Sequence, residues 1–191
     1  MLSGTAKAFG DASVEQMLNT SVPPAVAIEK TASLENGSIN PETGTHTGLS
    51  ASFKIQTNGT DEDYDFIVGA KINTMDGEVS GYTENGALLF TNTTVLPTSS
   101  AVNNAKVGGK DNRNVIAYPI TMNITDPMSV TYDSSRTTDE GKGCYVIKIN
   151  SANEGTLTQS VGGTPVANTY SIGQDEAGTY KATVYLTTVS K

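Results

Sequence analysis

Apolar and polar residues alternate with a period of two through most of this chain, and the alternation is cleanest near its end. Between Gly178 and Val189, Tyr180, Ala182, Val184 and Leu186 fall on one face, with Lys181, Thr183, Tyr185 and Thr187 on the other. One apolar and one more polar face is the pattern of a half-buried strand. The same pattern marks 49–56, where Leu49, Ala51, Phe53 and Ile55 share a face. Further strands are predicted at 25–34, 64–72, 78–82, 87–95, 115–124, 128–132, 143–149, 155–159 and 166–172. Asn36-Gly37, Asn58-Gly59 and Asn85-Gly86 supply the left-handed backbone that the intervening turns need. Gly69 reads as a bulge, and Pro119 as an edge or bulge position, since proline cannot donate to a sheet ladder. About ten short strands at spacings of roughly 8 to 15 residues have the cadence of a sandwich or barrel. Residues 36–48, and the polar stretch 97–114 with Gly108-Gly109, read as surface loops.

Residues 1–24 stand apart as an arm ahead of a domain spanning 25–191. Their hydrophobics are sparse, and two readings are open. Asp11 or Ser13 can cap a short helix, with Ser13 and Gln16 as a capping box and Val14, Met17 and Leu18 on one side. Alternatively Val14, Leu18 and Val22 share one side of an extended segment, with Gln16 and Thr20 between them. Pro23-Pro24 stops any helix and leads into the domain in an extended passage.

Composition narrows the function classes. The chain is rich in Thr, Ser, Asn, Gly and Tyr and poor in Leu, Arg and Glu, which favours pleated surfaces over long helices. A net charge of −8, with Arg113 and Arg136 the only arginines, argues against nucleic acid and against an anionic membrane surface. No apolar run approaches the ~18 residues that cross a membrane. Ala6-Lys7-Ala8 has the form of an export cleavage site without an apolar run before it, as expected of a mature exported form or of an intracellular protein. Cys144, the single cysteine, excludes an intrachain disulfide and reads as a buried strand residue.

Enzyme chemistry finds no seat. His46 is the only histidine, lies in a stretch read as a solvated loop, and has neither a cysteine pair for zinc nor a Gly-x-Ser-x-Gly elbow for a nucleophile. Gly108-Gly109-Lys110 lacks the glycine and the hydroxyl that a phosphate loop requires, since Asn104 and Asp111 stand there. The acidic run from Asp61 to Asp65 lacks the spaced glycine and closing glutamate of a calcium loop and reads as a solvated turn. Asn-x-Ser/Thr triplets begin at Asn19, Asn36, Asn58, Asn92 and Asn123, a frequency that so Asn- and Thr-rich a chain reaches by chance. No catalytic residue, metal or cofactor is expected.

An arm with spaced hydrophobics ahead of a first strand, and a last strand opening Gly178-Thr179-Tyr180 and then alternating, together resemble the subunits of bacterial fimbriae assembled by the chaperone–usher pathway. Ser190-Lys191 occupy the end where that family often has an aromatic, and one cysteine excludes the disulfide many members carry. The resemblance implies an all-β, Ig-like antiparallel sandwich with an extended N-terminal arm and one strand missing. It implies Val14, Leu18 and Val22 as donor residues and Ile28, Ala182, Val184 and Leu186 as lining of an acceptor groove beside the first and last strands. Its implied partners are further copies or related subunits, head-to-tail, with a periplasmic chaperone and an usher during export to a cell-surface fimbria supporting adhesion. The rival expectations are a secreted sandwich that acts as an adhesin or binds carbohydrate, for which no tryptophan platform exists, and a phage structural protein.

Overall fold

The computed structural model describes residues 19–59, 62–109, 113–125, 128–149 and 153–191. Its elements are β1 (Val26–Lys30), β2 (His46–Thr57), β3 (Tyr64–Thr74), β4 (Gly77–Ser80), β5 (Leu88–Asn92), α1 (Ser99–Lys106), β6 (Val115–Tyr118), β7 (Ile120–Ile124), β8 (Met128–Thr138), β9 (Gly141–Ile149), β10 (Asn153–Gly163), β11 (Tyr180–Lys181) and β12 (Thr183–Ser190). The protein is all-β, as its alternation predicts. All strand pairs are antiparallel, in three sheets ordered β1-β2-β10-β7, β12-β3-β9-β8 with β4 beside β3, and β11-β5-β6.

The first sheet packs against the other two. Ile55 and Leu157 of the first meet Phe66, Val68, Ile147 and Ile149 of the second in one buried cluster. Val161 of the first meets Leu88, Phe90, Ile116 and Tyr118 of the third in another. Alternation decides which residues enter, since inward side chains recur every second position. Cys144 behaves as expected: it is fully buried in β9, with Ile67 and Val146 on the opposite face of the second sheet.

Two expected strands divide between sheets. The stretch 115–124 breaks at Pro119, with β6 pairing β5 in the third sheet and β7 pairing β10 in the first. A residue without an N–H fits where one ladder ends and the next begins. The terminal stretch divides at Ala182, with Lys181 opposite Thr91 of β5 and Thr183 opposite Lys71 of β3. Ala182 is half-buried and packs against the clusters on both sides of the third sheet.

Other expectations need correction. The first strand stops at Lys30, and Leu34 makes a single bridge to Ser50. Residues 166–172 form turns, held by Thr169, whose Oγ1 accepts from Ala117 N and donates to Val166 O, and by the Asp175 carboxylate, which accepts from Ser171 N and Asn114 N. Local hydrogen bonding by short polar side chains has outcompeted the ladder there. The supposed loop 97–114 contains α1, capped by Thr98, whose side chain accepts from Ala101 N. Ala101, Val102 and Ala105 bury one side of this helix against Leu89, Val115 and Ala117. Strands β5 and β6 are buried on both faces, so their outer face needs a cover, and α1 supplies it.

Gly69 is no bulge, since β3 pairs with β12 in unbroken register. The Tyr185 ring lies over it where a Cβ would otherwise sit, and Tyr185 Oη donates to Glu140. Asp65 accepts from Arg136 at 2.8 Å and pairs with Lys191 at 3.1 Å, closing the far end of the same sheet. Burial pushes the Asp65 carboxyl up, but bonds to Arg136 and Lys191 outweigh it and hold the group below its ordinary range.

Two outcomes follow. Gly69→Ala forces a methyl into the Tyr185 ring and is expected to lower stability by about 1–3 kcal/mol in chemical denaturation, with a smaller loss when Tyr185 is also alanine. Asp65→Asn is expected to cost about 1 kcal/mol at neutral pH. Because the folded-state value lies below the ordinary 3.8, the wild-type advantage is complete above that value. It disappears as pH falls through the lower folded-state value, which denaturation at a series of pH values measures.

Candidate functional site: an open groove between the sheets

The apolar face of β2 is covered along only part of its length. Ile55 is fully buried, whereas Leu49, Ala51 and Phe53 on the same face are half-buried. They floor a groove of about 560 Å³, together with Gln159 and Val161 of β10 and Leu88 and Phe90 of β5. One wall is the end of β1 and the segment after it, Lys30 and Ser33–Asn36; the other is Thr179–Val184. The groove therefore opens between the first strand and the last.

Register explains its shape. Strand β1 lies at one edge of the first sheet and β12 at one edge of the second. Neither has a further strand partner among the described residues, so each presents an unpaired row of backbone donors and acceptors. Across the floor, Phe53 is opposite Leu157, Ala51 opposite Gln159, and Leu49 opposite Val161. An extended segment laid in the groove would meet apolar, polar and apolar levels in that order.

The polar groups here are few. Gln159 is 2% exposed, its Oε1 accepts from Tyr82 Oη at 2.8 Å, and its Nε2 has no partner among the described residues. Burial raises the Tyr82 phenol well above its ordinary value, so it remains a donor across the physiological range. Tyr180, on the wall, is pushed up to about 12, chiefly by burial, and donates to Glu176 O. At the rim Lys30 bonds Glu35, which holds that carboxyl below its usual value. Gly178 sits against the amide of buried Asn92, where a side chain would crowd it, while Tyr180 packs inward, giving the Gly-x-Tyr opening of the last strand a structural cause.

Of the residues expected to line an acceptor groove, Ala182 and Val184 do so. Leu186 and Ile28 lie beyond its lining: Leu186 is half-buried beside Phe66 and Val68, and Ile28 is 39% exposed on β1 opposite Ile55. Of the expected donor residues, Val14 and Leu18 lie outside the described residues, and Val22 is 80% exposed. Residues 19–25 carry no helix or strand, and the end of this stretch is tied to its own body: Pro23 O accepts from Asn58 Nδ2 and Pro24 O from Tyr64 Oη. Gln159, Leu49, Ala51 and Phe53 were missed as site residues. The alternation of 49–56 marked three of them as inward-facing, but nothing in it says that part of that face stays uncovered.

The other motifs resolve structurally. His46 is buried in β2, not solvated in a loop: its Nδ1 accepts from Gly48 N, and its ring packs on Phe90 and Tyr118. Asn92 is fully buried, its Oδ1 accepting from Thr94 N and Val95 N, so that triplet offers no accessible amide. Among the described residues no group of three or more His, Cys, Asp and Glu is placed to hold a metal ion. No described helix is long and apolar enough to cross a membrane.

Burial lowers the His46 value below its ordinary 6.5, so the folded protein disfavours the imidazolium. Stability from this residue is complete above about pH 6.5 and declines as pH falls toward the lower folded-state value. Thermal unfolding followed from pH 7.5 to 5.5 is expected to show this decline, with a shallower slope in His46→Phe.

Neither a protein-family model nor a curated protein matches this chain, so its functional reading rests on the groove itself.

Proposed function

We propose that this protein is a non-enzymatic structural subunit of a bacterial surface fimbria, assembled head-to-tail by donation of one subunit's N-terminal arm to the groove of the next. The observation that carries the reading is the half-covered apolar face of Leu49, Ala51 and Phe53, open between two unpaired edge strands. A sandwich in need of one more strand has these features: floor side chains short of neighbours, and backbone edges ready to bond an added segment. On this reading the fold is Ig-like with one strand absent, and Ala182 and Val184 line the acceptor groove. Ile28 and Leu186 extend the apolar surface past its lower end.

The occupant must be extended and alternating. Residues 14–22 supply Val14, Leu18 and Val22 on one side, spaced by Gln16 and Thr20. Residues 23–25 are fastened to their own body, and on this reading the arm ahead of them is the segment donated to another copy. A donor surface and an acceptor surface at different places on one chain make a heterologous contact, and such contacts propagate into filaments instead of closing. Export through the periplasm, with a chaperone occupying the groove until an usher exchanges it for an arm, is the route this reading implies. Adhesion would then be a property of the assembled filament.

Deleting residues 1–22 keeps Pro23 and Pro24 and is expected to leave the circular-dichroism spectrum and unfolding midpoint of the body unchanged while abolishing filaments in electron micrographs. Val184→Asp places a charge in the groove wall, where covering a valine is worth ~1.5–3 kcal/mol, and is expected to block acceptance while leaving donation intact. The two variants mixed should form a one-to-one heterodimer and no filament, whereas either mixed with wild type should shorten filaments. Filaments formed by the arm-deleted protein would sink the proposal.

A further inference from the structure

The groove contains one polar demand that the described residues leave unmet. Gln159 sits in the middle of the floor, between the Phe53–Leu157 and Leu49–Val161 levels. Its carbonyl is engaged by Tyr82, its amide nitrogen has no partner, and it is shielded from water. A buried polar group without a partner costs free energy that a fitted partner recovers. The partner has to arrive with whatever fills the groove.

We propose that Gln16 of a second copy's arm pairs with Gln159 and thereby fixes the register of strand exchange. This rests on the filament reading above and adds to it a register and a specificity residue. The floor reads apolar, Gln, apolar along successive same-face levels, and the arm reads Val14, Gln16, Leu18 along one side. The same-face spacing is two residues in both, so the alignment with Gln16 over Gln159 satisfies all three levels. A glutamine head group carries both a donor and an acceptor, and so serves Gln159 in either orientation of its amide.

The arm offers a second window, Leu18, Thr20 and Val22, with Thr20 at the polar level. Connection length decides against it. Residues 23–25 are bonded to their own body through Asn58 and Tyr64, so that window leaves no free residue between groove and body. With Gln16 over Gln159, residues 19–22 remain as a connection of up to about 13 Å at ~3.3 Å per extended residue. Exposed Val22 then belongs to the connection. A single polar pair in an apolar seam is an established way to select one register over its neighbours, because an alignment shifted by one level sets Val14 or Leu18 against Gln159 and leaves its amide unpaired.

Cysteine trapping in the full chain, with Gln16, Thr20 and Gln159 all retained, reads the register. Val14→Cys and Val22→Cys are each combined with Phe53→Cys or Leu49→Cys, and disulfide-linked ladders are followed on non-reducing gels. A Val14→Cys combination is expected to form ladders at least ten-fold faster than either Val22→Cys combination. Gln16→Leu, which leaves the fold of the body untouched, is expected to slow filament growth about ten-fold by stranding the Gln159 amide, whereas Thr20→Val is expected to have little effect. Faster ladders from Val22→Cys, or filament growth indifferent to Gln16→Leu, overturn the register while leaving strand exchange in place. Filaments and ladders both absent overturn strand exchange and the register with it.

Discussion

Two sheet edges that border one groove without bonding one another are the constraint on which the rest of this molecule depends. Strands β1 and β12 close opposite sheets, and each pairs on one side only among the described residues. Backbone groups at such edges bond to water or to another chain. Apolar side chains behind them have no such alternative. Leu49, Ala51 and Phe53 stay half-covered because, among the described residues, no strand lies between the two edges to cover them.

The rest of the sandwich is completed with care, which makes the open side informative. Strands β5 and β6, buried on both faces, are covered outside by the short α1. Gly69 is roofed by Tyr185, which Glu140 anchors in turn. Arg136 and Lys191 converge on Asp65 and tie the last residue to the second sheet. The turns at 163–179 are fastened by Asn114 and Asp175 beneath the last strand. Gln159 Nε2 is the single buried side-chain nitrogen or oxygen left without a hydrogen bond among the described residues, and it belongs to a groove residue.

Sheet switching places the groove walls. Pro119 passes the chain from the third sheet to the first, and Ala182 passes it from the third to the second. Through the second switch, one terminal segment both walls the groove, with Thr179–Val184, and closes the second sheet, with Thr183–Ser190. Its apolar face therefore serves two clusters, the upper part packing on Tyr118 and Phe90 and the lower on Phe66 and Val68.

The sequence by itself determined the all-β class, most strand positions, the inward faces of 49–56 and 178–189, and the burial of Cys144. These follow from period-two alternation and residue size, which act locally. It misplaced His46, 97–114 and 166–172, because their states depend on remote partners. His46 is buried by Phe90 and Tyr118, Ala101 and Val102 by Leu89 and Val115, and the 166–172 turns are held by Ala117 and Asn114. The sequence placed Ala182 and Val184 beside a groove only through the family resemblance of the last strand. Tertiary structure alone decided which part of an apolar face stays uncovered and that Gln159 lies at its centre. Alternation says which way a side chain points, and only the packing of distant strands says whether anything is there to meet it.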